Sequence, residues 1–257
     1  MRNILDTGNC NVLREYVGSD TLIGLDFDGT LAPIVRERRR AVLRPATRSL
    51  LAELASRFQC VVISGRAKDD VIPRLRGTGV SEIIGNHGIE PWSASPELEK
   101  AVRQWLPLLN EGLGPYRGVE IEDKRYSVSV HYRGETRKQE AIRKIESVAR
   151  SLGPVRVIGG NQVVNILPLS APNKGLAFVR HLARSGCSKA IYIGDDDTDE
   201  DVFSLCGRGQ TLTIRVGLNH DSLAEYYLRR QQDIDRLILR LLDFHDGRRV
   251  VSHSTGR

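Results

Sequence analysis

The sequence predicts an α/β protein: a mostly parallel sheet covered by helices on both faces, with a smaller α+β module inserted into it. Three observations carry this. Short apolar runs such as Leu22-Ile23-Gly24-Leu25, Cys60-Val61-Val62-Ile63 and residues 190–193 alternate with segments of helical spacing, as parallel strands joined by helices do. Two of these runs end in acidic, glycine-containing stretches, Asp26-Phe27-Asp28-Gly29-Thr30 and Gly194-Asp195-Asp196. Ser64 and Lys174 lie 110 positions apart, whereas a β-α-β crossover takes about 30 residues.

Residues 22–25 read as a buried parallel strand that stops at the acidic turn. Pro45 stands near the start of a helix whose Leu50, Leu51, Leu54, Ala55 and Phe58 follow helical spacing, and residues 60–63 return as a strand, completing a β-α-β unit. After residue 170 the pattern recurs. Leu176, Val179, Leu182 and Ala183 predict an amphipathic stripe ahead of the strand at 190–193, then a short helix at 199–205 and a strand at 211–216. Ligands of such sheets gather at the carboxyl edge of the strands.

The inserted text reads differently. A helix-like stretch starts near Glu97, Tyr126, Val128, Val130 and Tyr132 alternate, a second helix spans 136–152, and apolar runs at 155–158 and 163–167 flank Gly159-Gly160, which reads as a hairpin. The expected division is a core of residues 1–93 and 170–257 with a module at 94–169, joined by proline-containing loops. Residues 246–257 lack periodicity and are expected to form a flexible tail.

Composition narrows the function classes. With 257 residues, 40% of them apolar and 27% charged, the chain is an ordinary folded protein. No apolar stretch approaches the roughly 20 residues of a membrane span, and the first residues lack an export signal, so no membrane partner and a cytoplasmic location are expected. Cys10, Cys60, Cys187 and Cys206 are scattered and read as reduced, structural thiols. The net charge of +6 is carried mostly by arginine, which suits phosphate or carboxylate and equally a basic proteome. The densest basic run, Arg36-Glu37-Arg38-Arg39-Arg40, is broken by an acid, and no basic stripe alternates with aromatics, which argues against nucleic acid. Neither a phosphate-binding Gly-x-x-x-x-Gly-Lys-Ser/Thr nor a strand-following Gly-x-Gly-x-x-Gly occurs.

Four strand-end or helix-start sites carry chemistry. Asp26 and Asp28 can divide labour, one attacking or holding a metal while the other moves a proton, although an Asp-rich turn closing a strand would look alike. Between Gly194 and Asp201 stand six carboxylates and no His or Cys. Hard oxygens in that number favour Mg²⁺ over zinc, and the spacing is not that of a calcium EF-hand loop. The bland alternative is a solvated loop whose acids, Asp199 among them, cap the next helix. Ser64-Gly65-Arg66 offers a hydroxyl and free amides, and Lys174-Gly175 places an ammonium at a helix start.

Together these sites resemble the haloacid dehalogenase superfamily: Asp26-Phe27-Asp28-Gly29-Thr30 matches its first motif, Ser64 its second, Lys174 its third and Gly194-Asp195-Asp196 its fourth, in the same order. Within it the chain is similar, from about residue 20 to 245, to the trehalose 6-phosphate phosphatase family. Residues 25–34, Ile63-Ser64-Gly65-Arg66, Asn86-His87-Gly88-Ile89-Glu90, Glu122-Asp123-Lys124, His131-Tyr132-Arg133 and residues 194–201 carry that likeness. Two positions depart from it. Asn165 stands where the family usually has a glutamate that grips sugar hydroxyls, and Asn173 precedes Lys174 where an aspartate is usual. An amide both accepts and donates, so Asn165 changes the hydroxyl pattern the site can read.

The resemblance implies a Rossmann-like core of haloacid dehalogenase type with an α+β cap of its second type. It implies a Mg²⁺-dependent phosphatase acting on a phosphorylated sugar, most simply a disaccharide phosphate. Asp26 would become an aspartyl phosphate and Asp28 would act as acid and then base, with Ser64 and Lys174 on the phosphate oxygens. Mg²⁺ would be held by Asp26, the backbone carbonyl of Asp28 and Asp195, with Asp196 and Asp199 as auxiliary ligands. Gly29, Thr30, Gly65 and Arg66 would surround the substrate on the core side, and His87, Glu122, Lys124, His131, Arg133 and Asn165 would meet its sugar. For Glu122, Lys124 and Arg133 the alternative is cross-strand surface charge, and for His87 a buried, satisfied loop residue. The rivals are a related sugar-phosphate phosphatase with a different cap preference and a phosphosugar sensor without turnover. A receiver module has its acids in the wrong order, and the oligomeric state is left open, a monomer included.

Overall fold

The computed structural model describes residues 1–206 and 209–254. Its main sheet is built from β1 (Arg2–Asn3), β2 (Thr21–Leu25), β3 (Gln59–Ile63), β4 (Glu82–Ile84), β9 (Lys189–Gly194), β10 (Thr211–Val216) and β11 (Tyr226–Leu228). All pairs are parallel, in the order β1-β11-β10-β9-β2-β3-β4. A second sheet of β5 (Glu120–Asp123), β6 (Val128–His131), β7 (Val155–Gly160) and β8 (Val163–Pro168) is antiparallel, in the order β5-β6-β8-β7. The helices are α1 (Asn11–Tyr16), α2 (Pro45–Ala55), α3 (Lys68–Leu75), α4 (Pro96–Leu113), α5 (Lys138–Ser151), α6 (Lys174–Ser185), α7 (Glu200–Leu205) and α8 (Ile234–Ser254).

Side chains alternate across a strand, so the central strands feed two cores. Ile23, Leu25, Cys60, Val62, Ile191 and Ile193 pack with Leu13 of α1, Leu51 and Leu54 of α2, and Leu237 and Leu241 of α8. On the other face Leu22, Val61, Ile63 and Tyr192 meet Phe178 and Leu182 of α6 and Val202 and Phe203 of α7. Gly24 belongs to this second face. A Cβ there would lie 2.5 Å from Phe178 and 2.6 Å from Tyr192, whose rings meet edge to face beneath it with centroids 5.0 Å apart. The second sheet carries a separate core, in which Val128, Val130, Val164 and Ile166 pack under Trp105 and Leu109 of α4 and Ile145 of α5.

Three expectations are corrected. The buried face of α6 is Lys174, Ala177, Phe178 and Leu182, while Leu176 and Val179 are 54% and 42% exposed. The helix is turned by two residues four apart, Lys174 aimed into the site and Phe178 onto Gly24, and that demand outweighs the apolar stripe. The hairpin between β7 and β8 is present, but register pairs Gly160 with Val163, so the turn is Asn161-Gln162 and Gly159-Gly160 lies within β7. The tail expected from residue 246 is helical as far as Ser254, since α8 continues through it. Arg57 grips Asp246 through Nε at 3.0 Å and Nη2 at 3.1 Å, and His245 packs on Phe58. Residues 255–257 of that expectation lie outside the described residues. Among the described residues no helix is long and apolar enough to cross a membrane.

Candidate active site

Strands β3, β2 and β9 are neighbours, so the loops leaving their carboxyl ends must converge. The β2 loop turns back on itself, with Gly29 and Ala32 hydrogen-bonded through their backbones at 2.8 Å. Gly29 has φ +85°, and a Cβ on it would meet Asp195 Oδ2 at 2.0 Å, so only glycine lets this loop lie against the β9 loop. Thr30 donates to Asp195 Oδ1 at 3.1 Å across the same seam.

Lys174, first residue of α6, donates to Asp26 Oδ1 at 2.8 Å and Asp199 Oδ1 at 2.9 Å, all three side chains being buried. Asp199 also accepts from Tyr192 at 2.7 Å and from the amides of Asp195 and Asp196 at 3.0 Å each. Four donors on one carboxylate make it a fixed post that aims Lys174. Asp196 stands apart, accepting from the Asp197 amide at 2.7 Å to cap a 3-10 turn.

Carboxylate oxygens of Asp26, Asp195 and Asp199 lie within 4.8 Å of one another. Burial raises the Asp26 pKa well above the carboxylate range, with Asp199 and Asp195 adding to it and Lys174 opposing. Burial and Asp199 push Asp195 up to about 7. Burial alone would lower Lys174, but Asp199 and Asp26 outweigh it and hold its ammonium above the lysine range. Two buried carboxylates and the half-buried Asp195 against one ammonium leave negative charge that a divalent cation would offset, and an all-oxygen donor set fits a hard ion such as Mg²⁺.

The β3 loop supplies an unexpected arrangement. Arg66 is turned onto Asp28, with Nε 2.6 Å from Oδ2 and Nη2 2.7 Å from Oδ1, and it is braced by Asp70 at 2.7 Å and the Arg38 carbonyl at 2.9 Å. Ser64, also buried, accepts from the Arg66 amide at 3.1 Å. Asp70 went unread in the sequence, although it stands four residues from Arg66 on the opening turn of α3. Tyr192 gave no local signal, being one apolar-run residue among several.

Above the floor, Lys124 Nζ donates to the Gly65 carbonyl at 3.0 Å and lies 3.5 Å from Asn165 Oδ1, which accepts from Ser129 at 2.5 Å. Burial pushes the Lys124 pKa down to about 8. Glu122 bonds His131 Nε2 at 3.0 Å and pairs with Arg38 of the core. Burial would raise its pKa, but His131, Lys124 and Arg38 prevail and hold it at about 2. Arg133 donates to the carbonyls of Val35 at 3.2 Å and Arg36 at 2.6 Å. Glu122, Lys124 and Arg133 thus cross from the second sheet to the core and are not cross-strand surface charges. His87 is 4% exposed, with its ring set against Gly65.

These groups enclose a cavity of about 610 Å³ between the two sheets. Its floor carries Asp26, Asp28, Lys174 and Asp195, its roof Lys124, Ser129, His131 and Asn165, and its mouth Arg36, Arg38, Arg39 and Arg133. Gly65, Arg66, His87 and Asp196 also line it; Glu122 stands behind His131.

The trehalose-phosphatase family model matches residues 24–232. A probable trehalose-phosphate phosphatase 4 of rice, Oryza sativa subsp. japonica, is 30% identical over 252 residues, covering 88% of this chain and 67% of that protein. The trehalose-phosphate phosphatase of Mycobacterium tuberculosis is 33% identical over 219 residues, which are 77% of this chain and 55% of its own length, so the chain spans about half of that relative. In fold it is similar to the C-terminal domain of C. albicans trehalose-6-phosphate phosphatase, with a TM-score of 0.74 at 20% identity over 91% of this chain and 96% of that one. A haloacid dehalogenase-like hydrolase from Bacteroides thetaiotaomicron superposes with a TM-score of 0.60 at 18% identity, covering 86% and 99%. The chain belongs to the trehalose-phosphatase family.

Proposed function

We propose that this chain hydrolyses trehalose 6-phosphate to trehalose and phosphate through an aspartyl phosphate on Asp26. The observation that carries the reading is Lys174 bridging Asp26 and Asp199 beside Asp195, on the floor of a cavity roofed by Lys124 and Asn165. Lys174 holds one Asp26 oxygen and leaves the other to attack phosphorus. As the new P–O bond forms, the ester P–O bond breaks and Asp28 gives its proton to the departing sugar oxygen. Asp28 then takes a proton from the water that cleaves the aspartyl phosphate, releasing inorganic phosphate and restoring Asp26. The Asp28 side chain is 39% exposed and borders the cavity, and both its oxygens accept from Arg66, so it acts as the acid after leaving Arg66 and taking up a proton from solvent.

Asp26, Asp195 and the backbone carbonyl of Asp28 would hold Mg²⁺, which when bound neutralises phosphoryl oxygens. Asp199, saturated with donors, aims Lys174. Ser64 and the Gly65 and Gly29 backbones border the phosphate, while Lys124, His131 and Asn165 meet sugar hydroxyls. With its carbonyl oxygen committed to Ser129, Asn165 has only its amide group left to donate.

The test is phosphate release from trehalose 6-phosphate, sucrose 6-phosphate, glucosylglycerol phosphate and simple hexose phosphates. Trehalose 6-phosphate is expected to lead, with Asp26→Asn inactive and EDTA inhibition reversed by Mg²⁺. Preference for another member of the panel would move the substrate, and no release from any would overturn the reading.

A further inference from the structure

The acceptors on the cavity roof are largely spent. The carbonyl oxygen of Asn165 is shared by Ser129 at 2.5 Å and Lys124 at 3.5 Å. Glu122 is held by His131 and Arg38 and stands outside the cavity lining. Among the described residues one carboxylate of the second sheet does line the cavity: Glu120, first residue of β5. Its side chain is exposed and has no hydrogen bond or ion pair among the described residues.

Register explains why Glu120 faces inward. β5 and β6 pair Glu120 with His131 and Glu122 with Ser129, and β6 and β8 pair His131 with Val163 and Ser129 with Asn165. Directly opposed residues share a face, and Ser129, His131, Val163 and Asn165 all line the cavity, so Glu120 belongs to the same row. At the other end of β5, Lys124 reaches the Gly65 carbonyl of the core at 3.0 Å. Glu120 lies four residues back, about 13 Å along the strand at about 3.3 Å per residue. That is the end at which Arg133, two residues past His131, grips the carbonyls of Val35 and Arg36 at the mouth.

A free carboxylate at this place is unsuited to phosphate, since it repels the incoming anion and opposes the pull of the arginines around it. It suits hydroxyls. An ionised carboxylate only accepts, and its two oxygens can take the O–H groups of two neighbouring hydroxyls, a pattern that a pyranose ring presents.

Resting on the phosphatase reading, we propose that Glu120 is a specificity-determining residue whose carboxylate accepts from hydroxyls of the sugar ring distal to the phosphate, selecting a disaccharide phosphate over a single phosphorylated sugar. With the phosphate at Asp26 and the first ring under Lys124 and Asn165, the second ring is the part of the substrate that extends to the outer end of β5. Asn165 then donates and Glu120 accepts, so each ring meets a different kind of group.

The experiment compares a substrate that has the distal ring with one that lacks it. Glu120→Gln keeps the shape and one acceptor oxygen but removes the charge, and Glu120→Ala removes both. β5 is an edge strand and Glu120 is exposed, so both variants are expected to fold, as followed by circular dichroism. Each is assayed with trehalose 6-phosphate and with glucose 6-phosphate, the latter by turnover or, where turnover is slow, by competitive inhibition. For trehalose 6-phosphate kcat/KM is expected to fall about five- to tenfold in Glu120→Gln and about tenfold to 100-fold in Glu120→Ala, while glucose 6-phosphate is handled as well as by the wild type or slightly better. A surface carboxylate without this contact predicts the opposite sign, because losing a negative charge at the mouth would favour both phosphates. Folded variants that match or exceed the wild type on trehalose 6-phosphate, or that are impaired equally on both compounds, overturn the proposal. A wild-type enzyme that releases no phosphate from trehalose 6-phosphate overturns the phosphatase reading instead.

Discussion

Glu122 ties the cap sheet to the core, and its contribution can be worked out. Its carboxylate sits between His131 and Arg38 with 19% of the side chain exposed, and its pKa is about 2 against an ordinary 4.5. A depressed carboxylate stabilises the fold above its unfolded pKa and loses that contribution as pH falls through the folded one. The difference amounts to about 3 kcal/mol at pH 7, still about 3 kcal/mol at pH 4.5, and about 1.4 kcal/mol at pH 3. Urea denaturation of the wild type and Glu122→Gln at pH 7, 4.5 and 3 reads this directly. The variant is expected to be less stable by 2 to 3 kcal/mol, roughly, at neutral pH, with the gap narrowing by about half at pH 3. A gap below about 0.5 kcal/mol at pH 7, the size of an ordinary surface substitution, or a gap that does not change with pH, would refute the reasoning.

Lys124, with its pKa near 8, should lose its ammonium as pH rises, so KM for the phosphorylated substrate climbs above that pH. The sign for stability is opposite: from about 8 to 10.5 the unfolded chain holds the proton more tightly, so stability rises with pH, and Lys124→Met should abolish both trends. Arg36 and Arg39 line the cavity mouth and make no side-chain ion pair among the described residues. The double change to glutamine should reduce kcat/KM several-fold at low salt and flatten its dependence on ionic strength, in initial rates from about 20 to 300 mM salt. Gly29→Ala should abolish phosphate release, because its Cβ would overlap Asp195 Oδ2 and its φ of +85° is strained; near-normal turnover would remove the close approach of the two loops.

Much of the site was legible because its chemistry is written locally. A carboxylate pair at the end of an apolar run, a hydroxyl after another, a lysine opening a helix and a hard-oxygen cluster after a third run are each readable within about eight residues. The helix α8 was equally legible and went unread: Ile234, Leu237, Ile238, Leu241 and Leu242 are all buried at helical spacing. Strands β1, β4 and β11, of two or three residues each, are too short for periodicity to register.

By itself the sequence determined the parallel α/β class, the inserted module, the four converging sites and an all-oxygen cluster of carboxylates, because strand alternation, helix spacing and ligand type act between near neighbours. Only the tertiary structure decided how the polar groups are shared. It gave Arg66 to Asp28 across 38 positions, Lys174 to Asp26 across 148, and Arg38 to Glu122 across 84. It also turned α6 onto Gly24 and set the His87 ring against Gly65. A buried charge must take the partner that folding brings within about 3 Å, and which partner that is depends on how strands order and helices rotate, not on the residues beside it in the chain.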